Sequence, residues 1–307
     1  MKLSVVHHSD YAVALPEGHR FPINKFAALA RFLQDAENSH RFAFHAPSAA
    51  SIADLERAHD PAYVAGVLDL SLDAAAVRRL GFPLTEEVAR RARLASAGSL
   101  LTGRLALAQG LATHVAGGSH HAHREFGAGF CVFNDVAVAI RTLQAEGAVR
   151  RVLVIDCDVH QGDGTAAIFA GDKNVFTLSL HCASNFPVRK AVSDLDVALA
   201  DGTGDEAYLA ALRQAIQQVP DDFCPDLVFY NAGVDVHAHD RLGRLALSDA
   251  GIAARERLVI AYCRGQRLPL ACVSGGGYGS DVVALARRHA LVHLCAAEAL
   301  AADHHGS

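Results

Sequence analysis

VLVIDCDVHQGDG (residues 152–164) begins as a buried strand and ends as a cluster of metal-ligand side chains. Val152 to Ile155 is a short apolar run, the mark of a strand covered on both faces of a parallel sheet. It stops in Asp156, Asp158, His160 and Asp163. If the chain stays extended, period-two geometry sets Asp156, Asp158 and His160 on one face. An aspartate and a histidine two residues apart on a rigid platform can hold a divalent metal from one side. Several carboxylates buried beside such a strand are costly without a positive charge among them. Taken alone, the segment also reads as a solvated loop after a strand; the rest of the chain weighs against that.

Outward from this stretch, apolar runs and helical periodicity alternate. Strands are expected at Leu3–His7, Leu111–Ala116, Val175–Leu180, Leu227–Tyr230 and Leu270–Val273. Asn24, Ser51, Asp60 followed by Pro61, Thr85, Asn134 or Asp135, Gly204-Asp205 and Ser248 are the helix starts, and Gly110 and Gly147 the stops. Residues 181–204 and 231–247 read as loops. Strands alternating with helices of ten or more residues argue for an α/β fold, a parallel sheet covered on both faces. No repeat, linker or shift in composition divides the 307 residues, so one domain is expected, ending in a frayed tail over 302–307.

Composition narrows the function. A chain 51% hydrophobic can bury a large core, and a net charge of −5 with no basic run excludes a nucleic-acid track. The seven cysteines (131, 157, 182, 224, 263, 272, 295) form no CxxC pair, which suits a reducing cytosol better than a disulfide framework. The first residues, MKLSVVHHSDY, show no secretory signal, and no run is long enough for a membrane span. A cytoplasmic location is the expectation.

Four loops after strands carry the chemistry: 117–130, 156–164, 231–247 and 274–279. In an open parallel sheet such loops converge on the carboxyl edge, where ligands bind. The first holds His120 and His121 among Gly117, Gly118, Gly127 and Gly129. A histidine backed by a buried aspartate is a tuned general base, and Asp156 and Asp163 are the acids free for that role. In the third loop Asp235, His237, His239 and Asp240 compete for a third metal position, and chemistry alone does not choose. The fourth, SGGGYG, presents Tyr278 on a glycine-rich turn; without GxGxxG or an acidic ribose partner it is no dinucleotide site.

GGSHHAHREFGAGFCVFND, DCDVHQGDG, GVDVHAHDRLG and SGGGYG, in that order and spacing, resemble the zinc-dependent histone deacetylase superfamily. PEGHRFPINKF, DLDVALADGTGDEAYL and DRLGRLALS look most like its class IV branch and bacterial relatives. The resemblance runs from the first strand to about residue 290. It implies a three-layer α/β/α sandwich of the arginase–deacetylase kind, with a largely parallel central sheet of about eight strands.

It further implies that Asp158, His160 and Asp240 ligate zinc (or ferrous iron), which selects Asp240 in the third loop. His121, oriented by Asp163, would be the general base and then acid. His120, paired with Asp156, would tune charge and hold substrate, and Tyr278 would donate to the oxyanion. Gly129, Phe130 and Phe186 would wall an acyl-lysine tunnel. Ser179 and Leu180, with Asp156, Asp158 and His160, would hold a potassium ion. Leu247 stands where polyamine deacetylases carry an acidic gatekeeper, which tilts the substrate toward acyl-lysine in proteins or peptides. The short 181–190 loop would admit longer acyl chains. The alternatives are a deacetylase of small amines such as acetylpolyamines, and a module that binds acyl-lysine without turnover. Neither nucleic acid nor membrane is expected as partner, and the sequence leaves the oligomer open.

Overall fold

A computed structural model describes residues 2–303. Its eight strands are β1 (Leu3–Val6), β2 (Phe42–His45), β3 (Leu111–His114), β4 (Val152–Asp156), β5 (Val175–Cys182), β6 (Leu195–Leu199), β7 (Leu227–Asn231) and β8 (Leu270–Val273). They form one sheet in the order β2-β1-β3-β8-β7-β4-β5-β6, and every neighbouring pair is parallel. The expected α/β/α sandwich is therefore present. The helices are α1 (Lys25–Gln34), α2 (Ile52–Glu56), α3 (Pro61–Leu68), α4 (Ala74–Leu80), α5 (Glu86–Gln109), α6 (Asp135–Ala145), α7 (Asp163–Phe169), α8 (Asp205–Gln217), α9 (Asp249–Gly265) and α10 (Val282–Asp303). No helix among the described residues is long and apolar enough to cross a membrane.

Strand alternation builds two cores. Leu153 and Ile155 of β4, with Val228 and Tyr230 of β7, pack among residues of α1, α8, α9 and α10. Val152 and Val154, with Leu227 and Phe229, face α3, α5 and α6. β4 and β7 are apolar on both sides because each side meets a helix layer.

The caps fall largely where residue chemistry sets them. Ser51 forms a capping box with Asp54, Asp60 caps α3 with Pro61 in its first turn, and Thr85, Asn134 and Ser248 each accept an N–H of their helix. Gly110 ends α5 in the left-handed region at φ +85°. Asn24 differs: it is already helical and makes no side-chain cap bond, and α1 is entered through a turn in which the Lys25 N–H donates to the Pro22 carbonyl. The 181–204 stretch, expected as loop throughout, contains β6. Of the expected tail, α10 covers residues through Asp303, and 304–307 lie outside the described residues.

Candidate active site

β3, β8, β7 and β4 are consecutive neighbours in the sheet, so the four loops that follow them leave one edge side by side. Close backbone approach is built in at Gly118 (φ +84°): a Cβ there would lie 2.5 Å from Asn231 Oδ1 and 2.6 Å from Gly275 Cα. The chain beyond β4 does not stay extended. The Asp158 N–H donates to Asp156 Oδ1 (3.1 Å) and the His160 N–H to Asp158 Oδ1 (3.0 Å), so it turns on its own carboxylates.

Two histidine–aspartate pairs stand at the floor. Nδ1 of His120 is 2.7 Å from Asp156 Oδ2, and Nδ1 of His121 is 2.6 Å from Asp163 Oδ1. Asp163 Oδ2 also takes His123 Nε2 at 3.0 Å, and Asn231 donates to Asp156 Oδ1 at 2.9 Å. All four members of the two pairs are buried. Burial works to neutralise His120, yet the charges of Asp156 and Asp158 outweigh it and hold the imidazole up to about 9. Burial and then the neighbouring His120 charge lower His121 to about 4, against the pull of Asp163. The two adjacent histidines are thus shifted in opposite directions.

Beside them Asp158, His160 and Asp235 present ligand atoms all within 4.8 Å of one another. His160 Nδ1 is 2.9 Å from Asp158 Oδ1 and 3.1 Å from Asp235 Oδ2. Asp235, fully buried, also accepts the Val159 N–H at 2.9 Å. Asp240, the ligand implied by the resemblance, is not in this tight group. Its Oδ1 accepts the N–H groups of Leu242 and Gly243, and its Oδ2 that of Tyr278 at 2.6 Å. Burial and the Asp158 charge push the Asp235 carboxyl up to about 7, and burial raises Asp240. So many enclosed carboxylates call for a divalent cation among them, and aspartate oxygens with one imidazole are a donor set that fits one.

A pocket of about 500 Å³ opens above this floor, with His121, His160, Gly129, Phe130, Phe186 and Tyr278 in its lining. Phe186 meets His121 edge-on, ring centroids 4.8 Å apart. At Gly129 (φ +55°) a Cβ would come within 2.7 Å of His121 Cδ2. The Tyr278 hydroxyl makes no protein hydrogen bond among the described residues, whereas its ring is buried. A second cavity, about 580 Å³, lies against loop 13–24 and also touches Tyr278, but no carboxylate lines it.

Leu247 is a correction. It is fully buried in the core, paired through its backbone to Val236 and Ala238, and does not line the pocket. The leucine in the lining is Leu242. Ser179 is the register partner of Asp156, with Leu180 next to it, and the Ser179 hydroxyl contacts His181 Nδ1 at 3.0 Å.

Sequence reasoning missed Asn231 and Lys25. Lys25, buried, donates to the carbonyls of Gly275 and Gly277 at 3.2 Å each and so braces the Tyr278 turn. A lysine on the buried face of α1, amid Phe26 and Leu29, was the available signal.

Residues 19–294 match the family model described as histone deacetylase domain. An uncharacterised protein of Picosynechococcus is 45% identical over 96% of this chain and 99% of its own length. Histone deacetylase 2 of Arabidopsis thaliana is 30% identical over 90% of this chain and 75% of its own. A probable deacetylase of Methanothermobacter thermautotrophicus is 29% identical, covering 91% and 86%. The crystal structure of the HDA15 HD domain superposes with a TM-score of 0.78 at 22% identity, over 98% of this chain and 93% of that one.

Proposed function

This chain belongs to the histone deacetylase family, and we propose that it hydrolyses the amide of an N-acyl amine, foremost acyl-lysine carried in a protein or peptide. The observation that carries this reading is the doubled histidine–aspartate arrangement, His120 with Asp156 and His121 with Asp163, at the floor of a pocket shared with His160 and Tyr278.

Asp158, His160 and Asp240 would hold the metal, with Asp235 a further carboxylate beside His160 Nδ1. Zinc is the expected ion and ferrous iron the alternative. Bound there, it supplies Lewis acidity toward the amide carbonyl and a nucleophile from water at neutral pH. A potassium ion beside Asp156, Ser179 and Leu180 belongs to the same reading.

The remaining work falls to the chain's own side chains. Asp163 fixes the proton of His121 on Nδ1, leaving Nε2 to take the proton of the attacking water. His121 then passes that proton to the leaving amine. His120, bonded through Nδ1 to Asp156, tunes charge at the floor and holds the substrate. The unengaged Tyr278 hydroxyl donates to the carbonyl oxygen as it gains charge. Phe130, Phe186 and Gly129 enclose the aliphatic stem of the substrate. One water is consumed, and a carboxylate and a free amine leave.

The short 181–190 loop and the class IV-like segments extend the acyl group to longer chains. Six of the seven thiols are buried and all are free, consistent with a cytoplasmic enzyme.

The test is turnover of matched peptides bearing acetyl-, trifluoroacetyl-, octanoyl- or myristoyl-lysine, beside N-acetylputrescine, with zinc supplied. Wild type turns over a lysine peptide, and Tyr278→Phe loses about 10²-fold to 10³-fold in kcat. Turnover of acetylputrescine alone moves the substrate to small amines. No turnover with metal bound leaves a module that binds acyl-lysine.

A further inference from the structure

The pocket mouth has a charge opposite to that of the chain. The whole sequence carries −5, yet Arg20, Arg78, Arg79 and Arg244 line the 500 Å³ pocket and no aspartate or glutamate does. All four arginines are exposed. Among the described residues Arg20, Arg78 and Arg79 have no ion pair, and Arg244 has only a 3.5 Å contact to Asp201.

These arginines come from three separate parts of the chain, and hydrogen bonds tie each part to the mouth. The Gly129 N–H donates to the Arg79 carbonyl (3.3 Å) and the Phe130 N–H to the Leu80 carbonyl (2.8 Å), which ties the tunnel wall to the end of α4. His19 Nε2 meets the Gly81 carbonyl at 2.9 Å, bringing Arg20 to the same place, where its guanidinium lies 5.9 Å from the Phe130 ring centre. Buried Asn185 accepts the Arg244 N–H at 3.0 Å and donates to the Leu242 carbonyl at 2.7 Å. Arg79 stacks over Phe126 at 4.6 Å, leaving its edge donors free for a ligand.

We propose that this arginine rim selects acyl-lysine flanked by acidic residues. The inference rests on the acyl-lysine reading above and specifies its substrate class: a peptide whose glutamates or aspartates lie across the rim while the acyl-lysine stem enters between Phe130 and Phe186. Guanidinium forks match carboxylates in pairs, and a rim without acids repels a cationic polyamine or a basic peptide.

The test compares three peptides with one shared acyl-lysine and blocked termini, flanked by glutamate, alanine or lysine. Wild type and an Arg78→Gln/Arg79→Gln variant are assayed at about 0.05 M and about 0.5 M salt, where screening differs several-fold. In wild type at low salt the glutamate peptide exceeds the alanine peptide in kcat/KM by about tenfold, since three exposed ion pairs of ordinary strength multiply to that. The difference lies in KM and the lysine peptide ranks last. High salt, and separately the variant, reduces the ratio to about threefold or less. Because the ratio is taken within one protein, a general loss of activity cancels. Equal turnover of the three peptides, a best lysine peptide, or a ratio unmoved in the variant overturns the rim inference and leaves the proposed function standing. No turnover of any peptide overturns the proposed function and this inference with it.

Discussion

Asp163 Oδ1 lies 2.6 Å from His121 Nδ1, a buried pair in which the carboxylate fixes which imidazole nitrogen carries the proton. An aspartate accepts only, so Nδ1–H must point at it and Nε2 is left basic. Asparagine in its place can offer an N–H and favour the wrong tautomer. Asp163→Asn is expected to lower kcat by about 10²-fold to 10⁴-fold with KM little changed. A steady-state comparison on one acyl-lysine peptide checks this, and an unchanged kcat would remove Asp163 from the mechanism.

In the proposed metal site Asp235 and Asp240 would divide two duties that both need a carboxylate. Asp235 meets the Val159 N–H and the His160 ring, whereas among the described residues Asp240 accepts only backbone N–H groups. Asp240 bonds the Tyr278 N–H, and Tyr278 and His160 both line the pocket that substrate enters. Asp240→Asn is therefore expected to retain no stoichiometric zinc after dialysis, whereas Asp235→Asn weakens binding by about 10-fold to 100-fold. Metal analysis of both variants against a competing chelator decides it, and the reverse order would make Asp235 the ligand.

The site was more legible in the sequence than the frame around it, for a physical reason. Aspartates and histidines in the loops after Ile155, Ala116 and Asn231 signal a carboxyl-edge site because ionisable groups are not left beside buried strands without cause. The two strands missed, β2 and β6, are the two edges of the sheet. Neither forms a fully buried apolar run, and β6 alternates half-buried residues with exposed ones. Leu247 and Leu242 are both leucines five residues apart in one loop. Which of them faces the pocket depends on the backbone bonds that Asp240 accepts and on the pairing of Leu247 with Val236. No periodicity encodes that. The rim arginines were equally hidden, since main-chain hydrogen bonds join α4 to the 129–130 turn.

Arg255 ties the ends of two site-bearing strands from below. Fully buried, it donates to the Cys157 carbonyl at 3.0 Å and the Gly233 carbonyl at 2.7 Å, and pairs with Glu256 at 2.6 Å. Arg255→Met leaves the Glu256 carboxylate enclosed with only the Tyr230 hydroxyl as partner. A loss of about 3–5 kcal/mol is expected, and Arg255→Met/Glu256→Leu recovers much of it because the stranded charge is gone. Urea unfolding of the three proteins measures this, and a double variant no better than the single would mean that the carbonyl contacts dominate.

His59 is expected to make stability depend on pH. The Asn134 N–H donates to its Nε2 at 2.9 Å, and its Nδ1 sits 2.9 Å from the His123 carbonyl, so the ring is neutral with its proton on Nδ1. A second proton would have to enter Nε2 against that N–H, and burial lowers the folded group to about 4 from an ordinary 6.5. Between those values the unfolded chain binds the proton and the folded chain does not, so stability rises with pH across the window. The contribution is complete above pH 6.5, is lost progressively on acidification, and is exhausted near pH 4. The size is about 3 kcal/mol. His59→Gln can keep both hydrogen bonds and cannot titrate, so its denaturation midpoint should fall less than that of wild type between pH 7 and pH 4.5. Parallel slopes for the two proteins would show that other buried histidines, such as His293, carry the acid sensitivity instead.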